Sequence, residues 1–118
     1  MITAIKIVAP AWYVPASEEG KEKPTRFKLR GLTGMEMMEV FEGYRSLPGG
    51  EVAVGAPAYR AALRCGLTGW ENFTDENGPV KFERVMDNNI ARLSFNQISE
   101  LYGEIMARTE LPEEESKK

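Results

Sequence analysis

The chain has 118 residues, of which 42% are hydrophobic and 28% charged, and its formal net charge is −3. This length allows one hydrophobic core and is too short for two ordinary domains, and the composition is that of a globular protein rather than a disordered or membrane one. The acidic balance argues against a nucleic-acid binder. In the one basic stretch, residues 21–30, the alternation of Arg26, Lys28 and Arg30 with apolar residues is better explained as the exposed face of a strand.

Cysteine and histidine usage limits the chemistry further. With Cys65 alone and no histidine, an internal disulfide and a zinc site are both excluded, and we predict no metal and no cofactor. No apolar run reaches the roughly 18 to 20 residues that cross a bilayer. Residues 1–14 are interrupted by Pro10 and lack a cleavage signal. We therefore expect a cytoplasmic protein with no membrane partner.

Two strand-like segments occur near the N-terminus. Residues 3–9 alternate loosely and are rich in β-branched side chains, which favours a strand. The charged stretch 16–24 predicts a surface loop. Residues 25–32 then predict a second strand with Phe27 and Leu29 turned inward. The first third of the chain is thus predicted to form a small antiparallel sheet.

Two helices are predicted in the middle of the chain. The first begins at Thr33, where Glu36 completes a capping box, and ends at residues 48–50, Pro-Gly-Gly. The second has Pro57 in its first turn and Gly66 as a left-handed C-terminal cap. The apolar face of the first helix consists of Met37, Val40, Phe41 and Tyr44.

The tetrapeptide Gly-Leu-Thr-Gly occurs twice, at residues 31–34 and 66–69. Its flanks differ, so we interpret it as one local solution used twice, with glycine for a turn and threonine for a helix cap. Residues 70–73 are predicted to form a helical turn. The Asn-Gly pair at 77–78 is typical of a tight turn, after which Val80 and Phe82 return to the core.

The C-terminal helix has the strongest pattern. Ser94 and Gln97 form a second capping box. Beyond Arg108 the acidic sequence has little to bury, so residues 109–118 are predicted to be a disordered tail. We predict one domain over residues 1–108, of the α+β class and predominantly helical. Its predicted core residues include Phe41, Leu63, Trp70 and Leu101.

No residue pattern indicates catalysis. Histidine, the commonest general acid or base, is absent. Cys65 has only Arg64 as a nearby activating group, which favours a structural thiol over a nucleophile. Residues 75–78 resemble a fragment of a calcium loop but lack its ligand spacing, so a polar turn is the better interpretation. We predict that the chain is not an enzyme.

A protein-binding surface is predicted on the C-terminal helix and after the first strand. The helix stripe is wide enough to exceed what one small core covers, and adjacent aromatic residues in an extended chain point to opposite sides. Met35 and Met38 cannot both face inward with Met37, so core filling and partner contact both stay open for the methionines. The predicted contact residues are Trp12, Tyr13, Ile98, Tyr102, Ile105 and Met106. The alternative is that the stripe is wholly internal and a partner binds elsewhere.

Two phrases carry a family resemblance. They are Phe-Lys-Leu-Arg-Gly-Leu-Thr-Gly at 27–34 and Cys-Gly-Leu-Thr-Gly-Trp-Glu-Asn-Phe at 65–73, followed by Phe82, a final helix and an acidic tail. Over residues 25–108 the chain resembles the small tail assembly chaperones of long-tailed bacteriophages. The resemblance implies a non-enzymatic protein that binds the tape-measure protein and helps recruit tail-tube subunits. The N-terminal segment with Trp12 departs from the family pattern.

An alternative function is a prophage-encoded inhibitor that binds a protein of the host or of a rival phage. Small acidic proteins without an active site are frequent in that class too. The sequence leaves open whether the chain forms a homo-oligomer and whether a longer, frameshifted form exists. The gene neighbourhood distinguishes the two functions, because a chaperone is expected beside a tape-measure gene.

Overall fold

The computed structural model describes residues 2–4 and 9–109. The strands are β1 (Ala11–Tyr13), β2 (Arg26–Leu29), β3 (Tyr44–Ser46), β4 (Val52–Val54), β5 (Leu67–Glu71), β6 (Thr74–Asp75) and β7 (Gly78–Pro79). The helices are α1 (Gly34–Phe41), α2 (Ala56–Gly66), α3 (Met86–Ile90) and α4 (Phe95–Arg108). The predicted α+β class is confirmed, although helices occupy less than half of the described residues, so "predominantly helical" was slightly too strong.

The main sheet has the strand order β1-β2-β5, with both pairs antiparallel. The predicted small antiparallel sheet near the N-terminus is therefore present, and β1, which pairs with β2 in it, lies after Pro10. Of the predicted strand 3–9, residues 5–8 lie outside the described residues. Phe27 and Leu29 are buried as predicted. This places the inner face of the sheet against the helices.

The third strand was not predicted. Residues 70–73 were expected to form a helical turn, but β5 begins at Leu67 and pairs with β2. The hydroxyl of Thr68 donates to the backbone oxygen of Lys28 at 3.0 Å instead of capping a helix. The second Gly-Leu-Thr-Gly phrase is thus a strand because long-range pairing with β2 outweighs its local preference.

The first helix is shorter than predicted. Its capping box between Thr33 and Glu36 is present. The helix ends at Phe41, and Tyr44 already begins β3, so the inward stripe stops at Val40. Phe41 is 54% exposed and lies edge-on to Tyr44, with ring centroids 5.4 Å apart. Its prediction as a core residue was wrong, because the buried position in the last turn of α1 belongs to its neighbour Val40.

The core lies between the main sheet and helices α1, α2 and α4. Leu63, Trp70 and Leu101 are buried, as predicted. The indole nitrogen of Trp70 donates to the backbone oxygen of Val80 at 2.8 Å, and its ring meets Phe82 edge-on. The predicted return of this segment to the core is confirmed, since both residues pack against the buried cluster.

The C-terminal helix carries the predicted capping box between Ser94 and Gln97. Thr109 is also buried, and its hydroxyl donates to the backbone oxygen of Ile105 and accepts from the backbone nitrogen of Leu32. Thr109, which was predicted to belong to the tail, therefore packs with the domain. The rest of the predicted tail, residues 110–118, lies outside the described residues.

The short helix α3 was not predicted. Its residue Asn89 is buried, and the side-chain amide accepts from the backbone nitrogen of Glu83 at 2.7 Å and donates to the backbone oxygen of Glu83 at 2.9 Å. The side chain of Asn89 thereby provides hydrogen-bond partners for both the backbone N–H and the backbone C=O of Glu83, a residue that lies outside the strands. Within residues 2–4 and 9–109, no helix combines the length and the apolar character needed to cross a membrane.

Candidate protein-binding groove

A second hairpin, formed by β3 and β4, builds one wall of the candidate site. Residues 48–50 were predicted to link two helices, but they form the loop of this hairpin. Gly49 and Gly50 have φ values of +92° and +88°, a backbone conformation that glycine adopts without the steric cost of a Cβ atom. The hairpin is therefore encoded by its glycines, which sequence reasoning had assigned to a different element.

Two further glycines hold the base of the hairpin against α2. The backbone nitrogen of Gly55 donates to the backbone oxygen of Gly43 at 3.0 Å. A Cβ atom on Gly43 would lie 2.1 Å from the backbone nitrogen of Ala58, and one on Gly55 would lie 2.6 Å from the Gly43 oxygen. Only glycine permits this approach, so the hairpin sits directly on the first turn of α2.

An open groove of about 660 Å³ lies between the hairpin, the start of α2 and the junction of α3 with α4. This volume is within the range of pockets that bind ligands. Its lining residues are mainly apolar or aromatic: Leu47, Ala53, Val54, Gly55, Ala56, Tyr59, Ile90, Ala91, Leu93, Phe95 and Ile98, with Arg45 and Arg60. The groove is therefore a hydrophobic surface with a basic component.

Phe95 is the most exposed aromatic residue of the groove, at 66%. As the first residue of α4 it directly follows Ser94, whose capping box fixes the start of the helix. Its ring lies edge-on to Tyr59 with centroids 5.8 Å apart, and Tyr59 in turn lies 4.8 Å from Tyr102. This row of three aromatic rings holds Phe95 in place while leaving it exposed to solvent, as expected of an interface anchor.

The two charged lining residues are both arginines. Within the described part of the chain, neither Arg45 nor Arg60 forms an ion pair. Hydrogen bonds from Arg64 lower the pKa of Asp87, and the charge of Arg60 adds a smaller effect. The charged side chains that line the groove are thus both basic, on a chain whose net charge is −3.

The four predicted contact residues of the C-terminal helix lie in four different environments. Ile98 lines the groove. Tyr102 lies behind it, in contact with Tyr59, and its hydroxyl is 3.2 Å from that of Tyr44; burial raises its pKa. Ile105 is fully buried and is therefore not part of the contact surface. Met106 is partly buried and packs against the core.

Trp12 and Tyr13 lie on opposite faces of β1, as expected for neighbours in a strand. The exposed Trp12 ring has the guanidinium of Arg26 at 4.5 Å and the ammonium of Lys28 at 5.6 Å. The Tyr13 hydroxyl donates to the carboxylate of Glu100 on α4, and burial with this partner raises its pKa to about 12. Neither Trp12 nor Tyr13 lines the groove, so these two residues and the groove do not form one continuous contact surface.

The three methionines of α1 do not all face the core, as the sequence predicted. Met37 packs against the core, while Met35 and Met38 are exposed. The exposed pair therefore remains available for contact, although it does not line the groove.

The environment of Cys65 does not activate its thiol. The side chain is partly buried, and its sulfur lies 3.9 Å from Oε2 of Glu39. Burial raises the pKa of Cys65 to about 11, and the neighbouring carboxylates of Glu36 and Glu39 contribute to the increase. At neutral pH the group is a thiol rather than a thiolate, which favours the structural interpretation.

In the acidic turn at residues 75–78, the carboxylate of Asp75 is already bound by groups of the protein itself. Asp75 accepts from the backbone nitrogen of Asn77 at 2.8 Å and forms an ion pair with Arg92. Gly78 has a φ of +118° in the predicted tight turn. Among the residues that the structure describes, no group of three or more acidic, cysteine or histidine side chains is placed to hold a metal ion.

Sequence reasoning missed most of the groove. Val52 and Val54 alternate after a pair of glycines, which is a hairpin signal, and Phe95 follows a helix cap. These signals predict local structure only. That Val54 and Phe95 lie on one surface depends on how the hairpin, α2 and α4 pack together.

The fold and site thus define a small α+β domain with an open apolar groove. Comparisons with protein-family models, with curated proteins and with solved structures find no match to this chain.

Proposed function

We propose that the chain is a non-enzymatic, tail-assembly-chaperone-like protein that acts in the cytoplasm of a bacterial host. It binds the phage tape-measure protein, keeps it soluble and helps recruit tail-tube subunits. The observation that carries the proposal is the open apolar groove beside Phe95. A protein that holds a hydrophobic client needs such a surface in its folded state, because binding requires apolar area that is still accessible.

The groove is held open by the fold. Its walls rest on α2 and α4, which pack closely where Gly66 faces Ile105. The glycine contacts at Gly43 and Gly55 fix the hairpin on the opposite wall. A preformed surface loses little conformational entropy on binding, which favours association with a client of variable sequence.

The two phrases of the resemblance have a structural role in this chain. The first, residues 27–34, contains β2 and the cap of α1, and the second, residues 65–73, contains β5. Their large apolar residues Phe27, Leu67 and Trp70 are buried. The phrases that carry the resemblance therefore belong to the scaffold of this chain, and the groove supports the proposed binding activity independently.

The test is co-expression with the tape-measure protein encoded in the same phage genome. We expect the chain to move this client from the pellet to the supernatant and to co-purify with it. Phe95→Ser is expected to reduce client solubility. Phe41→Ser is the matched control, because Phe41 is also an exposed phenylalanine edge-on to a tyrosine but lies outside the groove. A client that is equally insoluble with and without the wild-type chain contradicts the proposal.

A further inference from the structure

The charge of the groove differs from that of the whole chain. The protein has 18 acidic and 15 basic residues, yet the lining of the groove contains two arginines and no aspartate or glutamate. A guanidinium is a planar donor that binds a carboxylate with two parallel hydrogen bonds. Arg45 and Arg60 therefore favour a partner segment that carries carboxylates.

The apolar lining determines the shape of that segment. Leu47 and Val54 come from the hairpin, Tyr59 from α2, and Phe95 and Ile98 from α4. Side chains from the hairpin and from helices α2, α3 and α4 form the walls, so apolar side chains of an occupant can insert between them. This is the way in which a groove receives the apolar stripe of an amphipathic helix.

We infer that the groove binds an acidic amphipathic helix of a partner protein. Apolar side chains spaced at three and four residues enter beside Phe95, and carboxylates on the flank of the same helix meet Arg45 and Arg60. The inference deepens the proposed function, on which it rests for the identity of the client. It assigns the arginines to partner selection, because charges at the rim of an interface govern specificity more than affinity.

The probe is a pair of synthetic helical peptides of about 18 residues with the same leucine stripe. One carries glutamates along the flank of the stripe, and the other carries lysines at the same positions. Fluorescence anisotropy with the full-length chain measures both affinities. We expect the glutamate peptide to bind about three- to tenfold more tightly at low salt, and the difference to shrink as salt screens the arginines.

Charge variants test the arginines. Arg45→Glu is expected to abolish or reverse the preference for the glutamate peptide. Arg84→Glu is the matched control, because Arg84 is an exposed arginine that does not line the groove and should leave the preference unchanged. Equal affinity of the two peptides for the wild-type chain overturns the charge assignment.

Aromatic variants test the location. Phe95→Ala is expected to weaken both peptides by about tenfold or more, since truncation of an interface anchor has an effect of this size. The Phe41→Ala variant should bind both peptides with the affinity of the wild-type chain. Circular dichroism checks that each variant is folded. Unchanged peptide binding by a folded Phe95→Ala protein overturns the groove as the binding site.

The chain's own acidic tail is the competing occupant. Changing Glu110, Glu113, Glu114 and Glu115 to serine in the full-length chain removes the glutamates of the predicted tail. If the glutamate peptide binds only to this variant, the groove belongs to the tail and the partner assignment is wrong.

Failure of the two proposals is distinguishable. A client solubilised through Phe95 without peptide selectivity overturns this inference alone, whereas selective peptides with an insoluble client overturn the chaperone function alone.

Discussion

Ile105 of α4 occupies the space that a side chain at Gly66 of α2 would need. A Cβ atom on Gly66 would lie 2.7 Å from both Cδ1 and Cγ2 of Ile105. A Cβ atom on Gly31 would lie 2.2 Å from the backbone oxygen of Arg108. Both Gly-Leu-Thr-Gly phrases thus begin with a glycine that lies against α4. The predicted left-handed cap at Gly66 was wrong, because the glycine serves close packing and is not among the residues with positive φ.

Gly66→Ala is expected to destabilise the protein by about 1–3 kcal/mol, the usual cost of inserting a methyl group into a packed core. Gly103→Ala is the matched control, because Gly103 is an exposed glycine inside α4 whose Cβ would meet nothing within 4 Å. It should stabilise the helix by about 0.5–1 kcal/mol. Urea unfolding measures both changes. A neutral Gly66→Ala variant would show that α2 and α4 pack less closely than described.

Leu101→Ala is expected to lower the free energy of unfolding by about 2–5 kcal/mol, because the side chain is buried and its loss leaves a cavity. Phe41→Ala should cost much less, since Phe41 is 54% exposed. Thermal denaturation of the two variants compares them directly. Equal melting temperatures would contradict the assignment of Leu101 to the core and Phe41 to the surface.

The ion pair between Arg30 and Glu36 predicts a pH effect. Two hydrogen bonds from Arg30, at 2.9 and 2.7 Å, are the largest influence on Glu36 and lower its pKa to about 2. A lowered pKa in the folded state stabilises the protein above the unfolded value near 4.5, and this stability is lost as the pH falls towards 2.

Glu36→Gln tests the effect, because glutamine retains the capping box and removes the charge. At pH 6 we expect a loss of about 1 kcal/mol, a value reduced for solvent screening. The difference from wild type should shrink as the pH falls from 5 to 2. Asp87→Asn, which removes an exposed carboxylate paired with Arg64, is the control and should show a smaller effect at pH 6. Urea unfolding at several pH values gives the comparison, and a pH-independent Glu36→Gln difference would contradict the prediction.

Cys65 should react slowly with alkylating reagents. With its pKa raised to about 11, the thiolate fraction at neutral pH is far below that of a free cysteine. We expect iodoacetamide to modify the native protein about a hundredfold more slowly than the urea-unfolded chain at the same pH. Mass spectrometry follows the adduct with time. Equal rates in the two states would mean that the thiol is activated or exposed, and would reopen a chemical role for Cys65.

The sequence by itself determined the features that depend on neighbouring residues. Thr33 with Glu36 and Ser94 with Gln97 start their helices as predicted, because a capping box is complete within four residues. The stripe of α4 likewise predicted Leu101 as a core residue, since helical periodicity is visible in the sequence.

Only the tertiary structure decided the features that join distant segments. Leu67 to Glu71 became a strand because β2 supplies its hydrogen-bonding partners from about forty residues away in the chain. The groove arises in the same way, since Arg45, Tyr59 and Phe95 come from three elements whose own sequences specify no common surface. Local patterns determine how each element forms and which face is apolar. Packing, limited here by glycines that allow close approach, decides which apolar faces are buried and which remain open for a partner.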